Sequence, residues 1–384
     1  MIVKRGCTQC GECLNVCPVY RRFGREEYSP KAKRLLMEPL DEDFADPRTG
    51  VELAWQQVRE LARLCAGCGR CRTACARKLS TVDLLAKVRA ANPHWTQQFW
   101  ELWIRRMGPA WLSLGYLAAV VPDWCAPEPL KPMLATAKAL VDKGDSTVWA
   151  KLAKDSAAQV DVTRPVALFA GCTAKNVRGK WTKKAGALLR AWGYTLLNGS
   201  SFGCCGGTMH HAGRLDTQKR MEEHNIAVWR DLGRPRVAVF CASCCHALTG
   251  YGEAALQGDE VTTWTQSLTP VSTLLAGAVP DPQAGKPAEY GYHQPCHWDA
   301  DKDIGWLKTL LPGQVQGLEL CCGMGGILQM NNAALSRNMA DACLGGFPSQ
   351  VQHILTGCSG CVMQLNAAAP EGVKVSHWLD VVSA

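Results

Sequence analysis

Cys7, Cys10, Cys13 and Cys17 follow the spacing C-x2-C-x2-C-x3-C with Pro18 next, and Cys65, Cys68, Cys71 and Cys75 repeat it with Ala76 in place of proline. Thiolates spaced this closely let one tight loop wrap three corners of a [4Fe–4S] cubane while the fourth ligand comes from elsewhere, and the loop's N–H groups reach the sulfurs. A zinc site needs only two C-x2-C pairs, so the quartets point to iron and sulfide. A second group of cysteines forms an internal repeat. Cys172, then Cys204-Cys205-Gly206, then Cys241-x-x-Cys244 recurs as Cys296, then Cys321-Cys322-Gly323, then Cys358-x-x-Cys361. In both copies 34 residues separate the glycine from the final pair. The first interval differs, 31 residues against 24, as a variable loop would make it.

Three of the 21 cysteines fall outside these sets. Cys343 lies in an apolar helical stretch and reads as a buried thiol, Cys245 adjoins a ligand position and reads as packing, and Cys125, between Trp124 and Pro127, reads as structural. Histidines accompany the repeat: His210-His211, His246, His293 and His297. His293 and His297 flank Cys296 and are candidates for proton transfer beside a reactive cluster; hydrogen bonding to backbone or sulfur is the plainer alternative. Gly206-Gly207 and Gly323, Gly325 and Gly326 suit close approach of backbone to a bulky group.

The elements that must position these residues differ along the chain. With 384 residues, more than one hydrophobic core is expected. Residues 1–92 hold the quartets around helix-forming sequence such as Val51 to Arg63. Residues 93–160 carry six of the prolines and only Cys125, and read as a Trp- and Pro-rich connecting or docking segment. Residues 161–280 and 281–384 hold one cysteine set each. In them PVALFAG (165–171), RVAVFCAS (236–243), EYGYH and VQHILTG read as short strands ending at cysteines, with helices over Val177 to Trp192, Asp216 to Leu232 and Asn331 to Leu344. Such alternation predicts parallel sheets, whose ligands gather at the carboxyl ends of the strands. The run PAWLSLGYLAAVV is 13 residues long, short of the roughly 20 that a spanning helix needs. It suits a buried helix, or a surface docked on a membrane-embedded partner, since Trp95, Trp100, Trp103 and Trp111 lie near Arg105-Arg106.

Only six residues precede Cys7, too few for the apolar region of an export signal, and Lys4-Arg5 is no twin-arginine motif. The thiols are therefore expected to be reduced and cytoplasmic. The net charge of +8 invites anionic partners, but each four-thiolate cubane contributes roughly −2, so a nucleic-acid partner is not expected. Neither a dinucleotide fingerprint nor a P-loop follows any expected strand, so flavin, haem or quinone chemistry is assigned to a partner.

The gap of 47 residues between the quartets resembles that of the α-helical ferredoxin domain of succinate dehydrogenase iron–sulfur subunits and their relatives. The resemblance implies crossed ligand sets: Cys7, Cys10 and Cys13 with Cys75, and Cys65, Cys68 and Cys71 with Cys17. Residues 165–384 resemble the CCG domains of heterodisulfide reductase B and D subunits, glycolate oxidase iron–sulfur subunits and the C subunit of anaerobic glycerol-3-phosphate dehydrogenase. The implied fold is α+α/β: an N-terminal α-helical ferredoxin domain followed by two tandem α/β cysteine-rich CCG domains. The implied cofactors are two [4Fe–4S] cubanes and up to two non-cubane [4Fe–4S] clusters. Both CCG sets are complete, Cys244 and Cys361 included, which favours the heterodisulfide reductase D type over relatives that only relay electrons.

The expected function is thus an electron-transfer subunit of a membrane-associated respiratory complex, with thiol/disulfide chemistry as an option. It would be peripheral on the inner face of the cytoplasmic membrane, in a hetero-oligomer with a cytochrome b or quinone-reactive membrane protein, a flavoprotein or a multihaem cytochrome. The alternative is the iron–sulfur subunit of a flavin-dependent glycolate, lactate or glycerol-3-phosphate dehydrogenase. A zinc-organised scaffold is the third reading, disfavoured by the quartets.

Overall fold

Left-handed glycines start the same local structure twice. Gly11 (φ 86°) and Gly69 (φ 70°) each open a five-residue helix, Glu12–Val16 and Arg70–Ala74, which ends at an extended cysteine, Cys17 or Cys75. These short helices pack against each other inside a frame of longer ones, Pro30–Met37, Glu52–Arg63 and Thr81–Ala91. Ser80 caps the last by accepting from the backbone N–H of Asp83 at 3.1 Å. Met37, Val58, Ala62, Leu84, Leu85 and Val88 form the core of this all-helical domain. Full burial of a leucine such as Leu85 contributes about 1.5–3 kcal/mol. The computed structural model describes residues 6–37, 52–127, 131–141, 147–252, 255–297 and 303–384.

The Trp-rich segment is helical as well. Helix Trp95–Arg105 begins at a His94 capping box. It is tied to the next domain through Glu101, which pairs with Arg214 at 2.5 Å and accepts from Thr217 Oγ1 at 2.6 Å. Helix Trp111–Ala119 packs closely on Lys131–Val141; a Cβ at Gly115 would lie 2.5 Å from Val141 Cγ1, so only glycine fits there. Among the described residues no helix is long and apolar enough to cross a membrane.

Eleven described strands follow: β1 (Ala150–Lys154), β2 (Val166–Phe169), β3 (Leu196–Leu197), β4 (Arg236–Val239), β5 (Leu268–Pro270), β6 (Ala278–Pro282), β7 (Tyr290–His293), β8 (Gln314–Gln316), β9 (His353–Thr356), β10 (Lys374–His377) and β11 (Val382–Ser383). Two four-stranded parallel sheets have matching orders, β3-β2-β4-β5 and β8-β7-β9-β10. The cysteine repeat is therefore a repeat of fold. The central strands are largely apolar and buried, as required of a sheet covered on both faces, with Arg236, His353 and His293 at their ends. A third sheet joins the copies: β1 pairs antiparallel with β6 and parallel with β11.

Asp380 is a polar link between the two CCG domains. It is 2% exposed, accepts from Trp181 Nε1 at 2.8 Å and from the His377 backbone N–H at 3.1 Å, and pairs with Lys180 at 2.9 Å. Asp380→Ala would leave two buried N–H groups without partners, so we expect a loss of about 2–4 kcal/mol, measured as a lowered denaturation midpoint.

Candidate functional site

All strands that end at a cysteine deliver it to one place. β2 runs into Gly171 and Cys172, β4 into Cys241, β7 into Cys296 and β9 into Cys358, each at a carboxyl end. Cys241 and Cys358 are also the N-cap residues of helices Ala242–Thr249 and Ser359–Ala368, so their thiolates gain from the positive helix ends. Gly171 is left-handed (φ 72°), and a Cβ there would meet Cys244 Sγ at 2.9 Å. Gly323 (φ 82°) lies so close to helix Ala333–Leu344 that a Cβ would come within 2.4 Å of the Ser336 carbonyl oxygen. These glycines let the cysteine turns fold tightly.

The ten repeat cysteines line a single cavity of about 1450 Å³. Within it the thiols follow one another. Cys172 neighbours Cys204, Cys205 neighbours Cys204 and Cys244, and Cys244 neighbours Cys241. Cys241 meets Cys358 of the other set, which continues to Cys361, to Cys322 at 3.3 Å, to Cys321 and to Cys296. Serines stitch the crossing: Ser359 Oγ lies 3.3 Å from Cys241 Sγ, and Ser243 Oγ lies 3.3 Å from Cys241 Sγ and 3.4 Å from Cys358 Sγ. Sequence reasoning missed this pair, although a serine inside each C-x-x-C was visible.

The ferredoxin domain reaches the same cavity through Cys68. Burial and the nearby Cys321 push the Cys68 thiol well above its ordinary range. A smaller cavity is lined by Cys17, Cys65, Cys68 and Cys71, the four cysteines of one expected crossed set. For the other quartet, Arg77 from the loop after Cys75 donates to the Gly6 carbonyl at 2.5 Å, which brings that loop beside Cys7. Backbone donors face the sulfurs in matching places: Gln9 N to Cys7 and Gly67 N to Cys65, each at 3.4 Å. Lys33 was not foreseen. It is buried against this quartet; burial lowers its pKa, while Cys65, Cys17 and Cys71 favour its charged form.

Crowding explains why such a donor set suits a metal centre. Cys296 and Cys361 are pushed well above the ordinary thiol range, first by hydrogen bonding to Cys321 and to Cys322, which favours their protonated form, and then by burial. Thiols packed this way cannot all ionise together without cations among them, which iron supplies. The residues fit iron–sulfur clusters.

Histidines border the cavity. His246 and His297 stack at 4.5 Å, His297 and His211 lie parallel at 6.3 Å, and His297 Nε2 contacts the Gly67 carbonyl oxygen at 3.1 Å. His293 sits behind the second set, with burial lowering its pKa to about 4. Of the leftover cysteines, Cys343 is buried and pushed up to about 12 by burial and by Cys321, and Cys245 is buried. Cys125 is exposed and packs no core, contrary to its reading as a structural thiol.

The family of the chain follows from these features. Residues 4–79 match the model of the 4Fe-4S dicluster domain, and residues 166–249 and 290–366 match the cysteine-rich CCG domain. The chain belongs to the CCG-domain iron–sulfur proteins and is an iron–sulfur electron-transfer subunit. It is 22% identical to the glycolate oxidase iron-sulfur subunit of Escherichia coli, over 99% of this chain and 93% of that one. It is also 22% identical to the D subunit of the dihydromethanophenazine:CoB–CoM heterodisulfide reductase of Methanosarcina acetivorans, over 88% and 81%. The B subunit of the fumarate reductase (CoM/CoB) of Methanothermobacter marburgensis is 23% identical over 98% of this chain and 71% of its own length.

At the cavity's edge His210 faces two acceptors, Asp83 Oδ1 at 3.1 Å and Gln218 Oε1 at 2.9 Å. Burial opposes the charged ring, but Asp83 and Gln218 outweigh it and raise the His210 pKa. A raised histidine stabilises the fold below the unfolded value of about 6.5, and that contribution is lost as pH rises through the folded value. We therefore expect Asp83→Asn to lower the melting midpoint at about pH 6 and to have little effect at about pH 8.5.

Proposed function

We propose that this chain is a heterodisulfide reductase D-like electron-transfer subunit of a membrane-associated respiratory complex. In this reading residues 1–92 hold two cubanes through the crossed quartets, 93–160 dock the chain on its partner, and 161–280 and 281–384 each hold one non-cubane cluster. The observation that carries it is the shared cavity, where two complete five-cysteine sets and Cys68 of the ferredoxin domain converge. Bound there, iron–sulfur clusters supply one-electron steps. The protein's own part is to keep the sets close, to roof them with Trp100, Trp103 and Trp111, and to leave room for a thiol or disulfide partner. His297 lines the cavity and is assigned proton transfer, with His293 behind it. Anaerobically purified chain should carry about 16 iron and 16 sulfide, four clusters in all; iron and EPR signals for two clusters alone would refute the four-cluster form.

The docking surface is the exposed side of the Trp-rich segment. Leu117, Val120 and Trp124 are 64%, 77% and 83% exposed, with Leu112, Tyr116 and Val121 beside them and Arg105 and Arg106 at the end of the preceding helix. An apolar patch with aromatic and cationic neighbours suits a membrane-embedded redox partner, a cytochrome b or a quinone-reactive protein, at the level of the bilayer interface. Val120→Glu with Trp124→Ser should release the protein from isolated membranes while its clusters stay intact, as membrane fractionation and EPR would report.

A second reading has its own support, because the match to the glycolate oxidase iron–sulfur protein covers 99% of the chain. In it a flavoprotein partner oxidises a 2-hydroxyacid or glycerol 3-phosphate and feeds the cubanes. Reduction of the clusters by glycolate, lactate or glycerol 3-phosphate in the isolated complex decides for this reading; no reduction by any of them decides against it.

A further inference from the structure

One buried difference between the two CCG repeats changes apolar residues to polar ones beside a cysteine set. Phe169 and His293 each close the first strand of their repeat, three residues before the set's first cysteine. Ile226 and Cys343 each lie 21 residues beyond the second cysteine of the adjacent pair, on helices Leu215–Asp231 and Ala333–Leu344. An apolar pair within the hydrophobic core of the first repeat is thus a histidine and a thiol in the second.

The polar pair is in contact. Cys343 Sγ lies 3.4 Å from His293 Nδ1 and 3.8 Å from the Leu320 carbonyl oxygen. His293 is 3% exposed, and its Nε2 is buried with no hydrogen-bond partner. A ring nitrogen of His293, Cys322 Sγ and Cys361 Sγ lie within 4.8 Å of one another. Since Nδ1 is taken by Cys343, Nε2 is the nitrogen left for whatever the two sulfurs hold.

A neutral imidazole has one N–H. Were it on Nδ1, Nε2 would present a lone pair to anionic sulfur, and the Cys343 thiol would turn to the more distant carbonyl. With the thiol donating to Nδ1, the ring N–H sits on Nε2 and faces the sulfurs as a donor. Charge and distance both favour the second arrangement. We propose that Cys343 fixes His293 in the Nε2–H tautomer, and that His293 donates a hydrogen bond to sulfur of the iron–sulfur centre held by the second set, raising its reduction potential. A donor stabilises the more negative, reduced state, and outer-shell partners of this kind tune cluster potentials. Phe169 offers the first set no such donor. Cys343 is the positioning residue.

This inference rests on the reading that both five-cysteine sets bind clusters. The test is an EPR-monitored redox titration, with iron analysis, of the full chain purified anaerobically as wild type, His293→Phe, Cys343→Ala and Cys343→Ser. His293→Phe copies the first repeat. It should keep all its iron while one signal becomes about tenfold less reduced at a fixed potential, ~59 mV for a one-electron couple, and the others stay in place. Cys343→Ala should shift the same signal in the same direction, and Cys343→Ser, whose hydroxyl can still donate, should restore most of it. An unmoved signal in His293→Phe at full iron content overturns the proposal, and so does loss of one cluster's iron, which would make His293 a ligand. If His293→Phe does not fold, equal behaviour of the alanine and serine variants overturns it. Wild-type protein without a cluster in the second set would refute the underlying reading instead.

Discussion

A thiolate in a protein interior needs a cation beside it. This chain gathers eleven cysteines, ten from the CCG repeats and Cys68 from the ferredoxin domain, around one cavity. Seven of the ten repeat cysteines are buried and the other three half-buried. Packed together, they split: Cys296 and Cys361 are pushed well above the ordinary thiol range, while Cys241 and Cys321, hydrogen-bonded to neighbouring thiols, are held well below it. The rest of the architecture serves this crowding. Parallel strands bring cysteines to one edge of each sheet, helix N-termini favour the charged form at Cys241 and Cys358, and glycines with positive φ fold the turns tightly. Lys33 adds a buried amine beside the quartet nearest the cavity; burial lowers its pKa and the neighbouring thiols oppose that shift. Iron completes the charge balance, which ties the folded state to cluster loading.

Much of the fold was legible because its signals are local. β2, β4, β7 and β9 coincide with the apolar runs read as strands, and the helices over 179–191, 215–231 and 333–344 lie within two residues of the expected ranges. The third sheet was not legible. β1, AKLAK, has little β-branched content, its partner β6 contains two prolines, and β11 lies more than 220 residues from β1, so only long-range pairing defines it. The Trp-rich run was ambiguous for a physical reason: it does two things at once. Trp100 and Trp111 are buried over the cavity while Tyr116, Leu117 and Val120 face outward, a division that periodicity alone cannot make in so uniformly apolar a helix.

The sites themselves were legible as sets but not as a connected chain. Spacing gives each set its five cysteines; nothing in spacing says that Cys241 touches Cys358. That contact depends on how two domains pack, through Asp380, His377 and the backbone bond from Ala242 N to the Gly357 carbonyl at 2.9 Å. Packing therefore decides whether two clusters can act on one ligand or only on separate ones.

The connected chain also has unlike ends. At one end Cys296 and Cys321 lie near Cys68 of the ferredoxin domain. At the other, Cys172 packs under Trp103, Met107 and Trp111, the inner face of the segment whose outer face is exposed and apolar. A duplicated domain would by itself give a symmetric site, and symmetry gives electrons no direction. Here the two sets differ in what they touch, in the residue behind them and in their nearness to Cys68 of the ferredoxin domain, so direction can be built from environment alone. From Cys296 to Cys172 the thiols follow one another as hydrogen-bonded neighbours, so the two sets are continuous in space. The asymmetry that a redox relay requires is thus carried by neighbours such as His293, Cys343 and the tryptophans, while the cysteines remain a repeat.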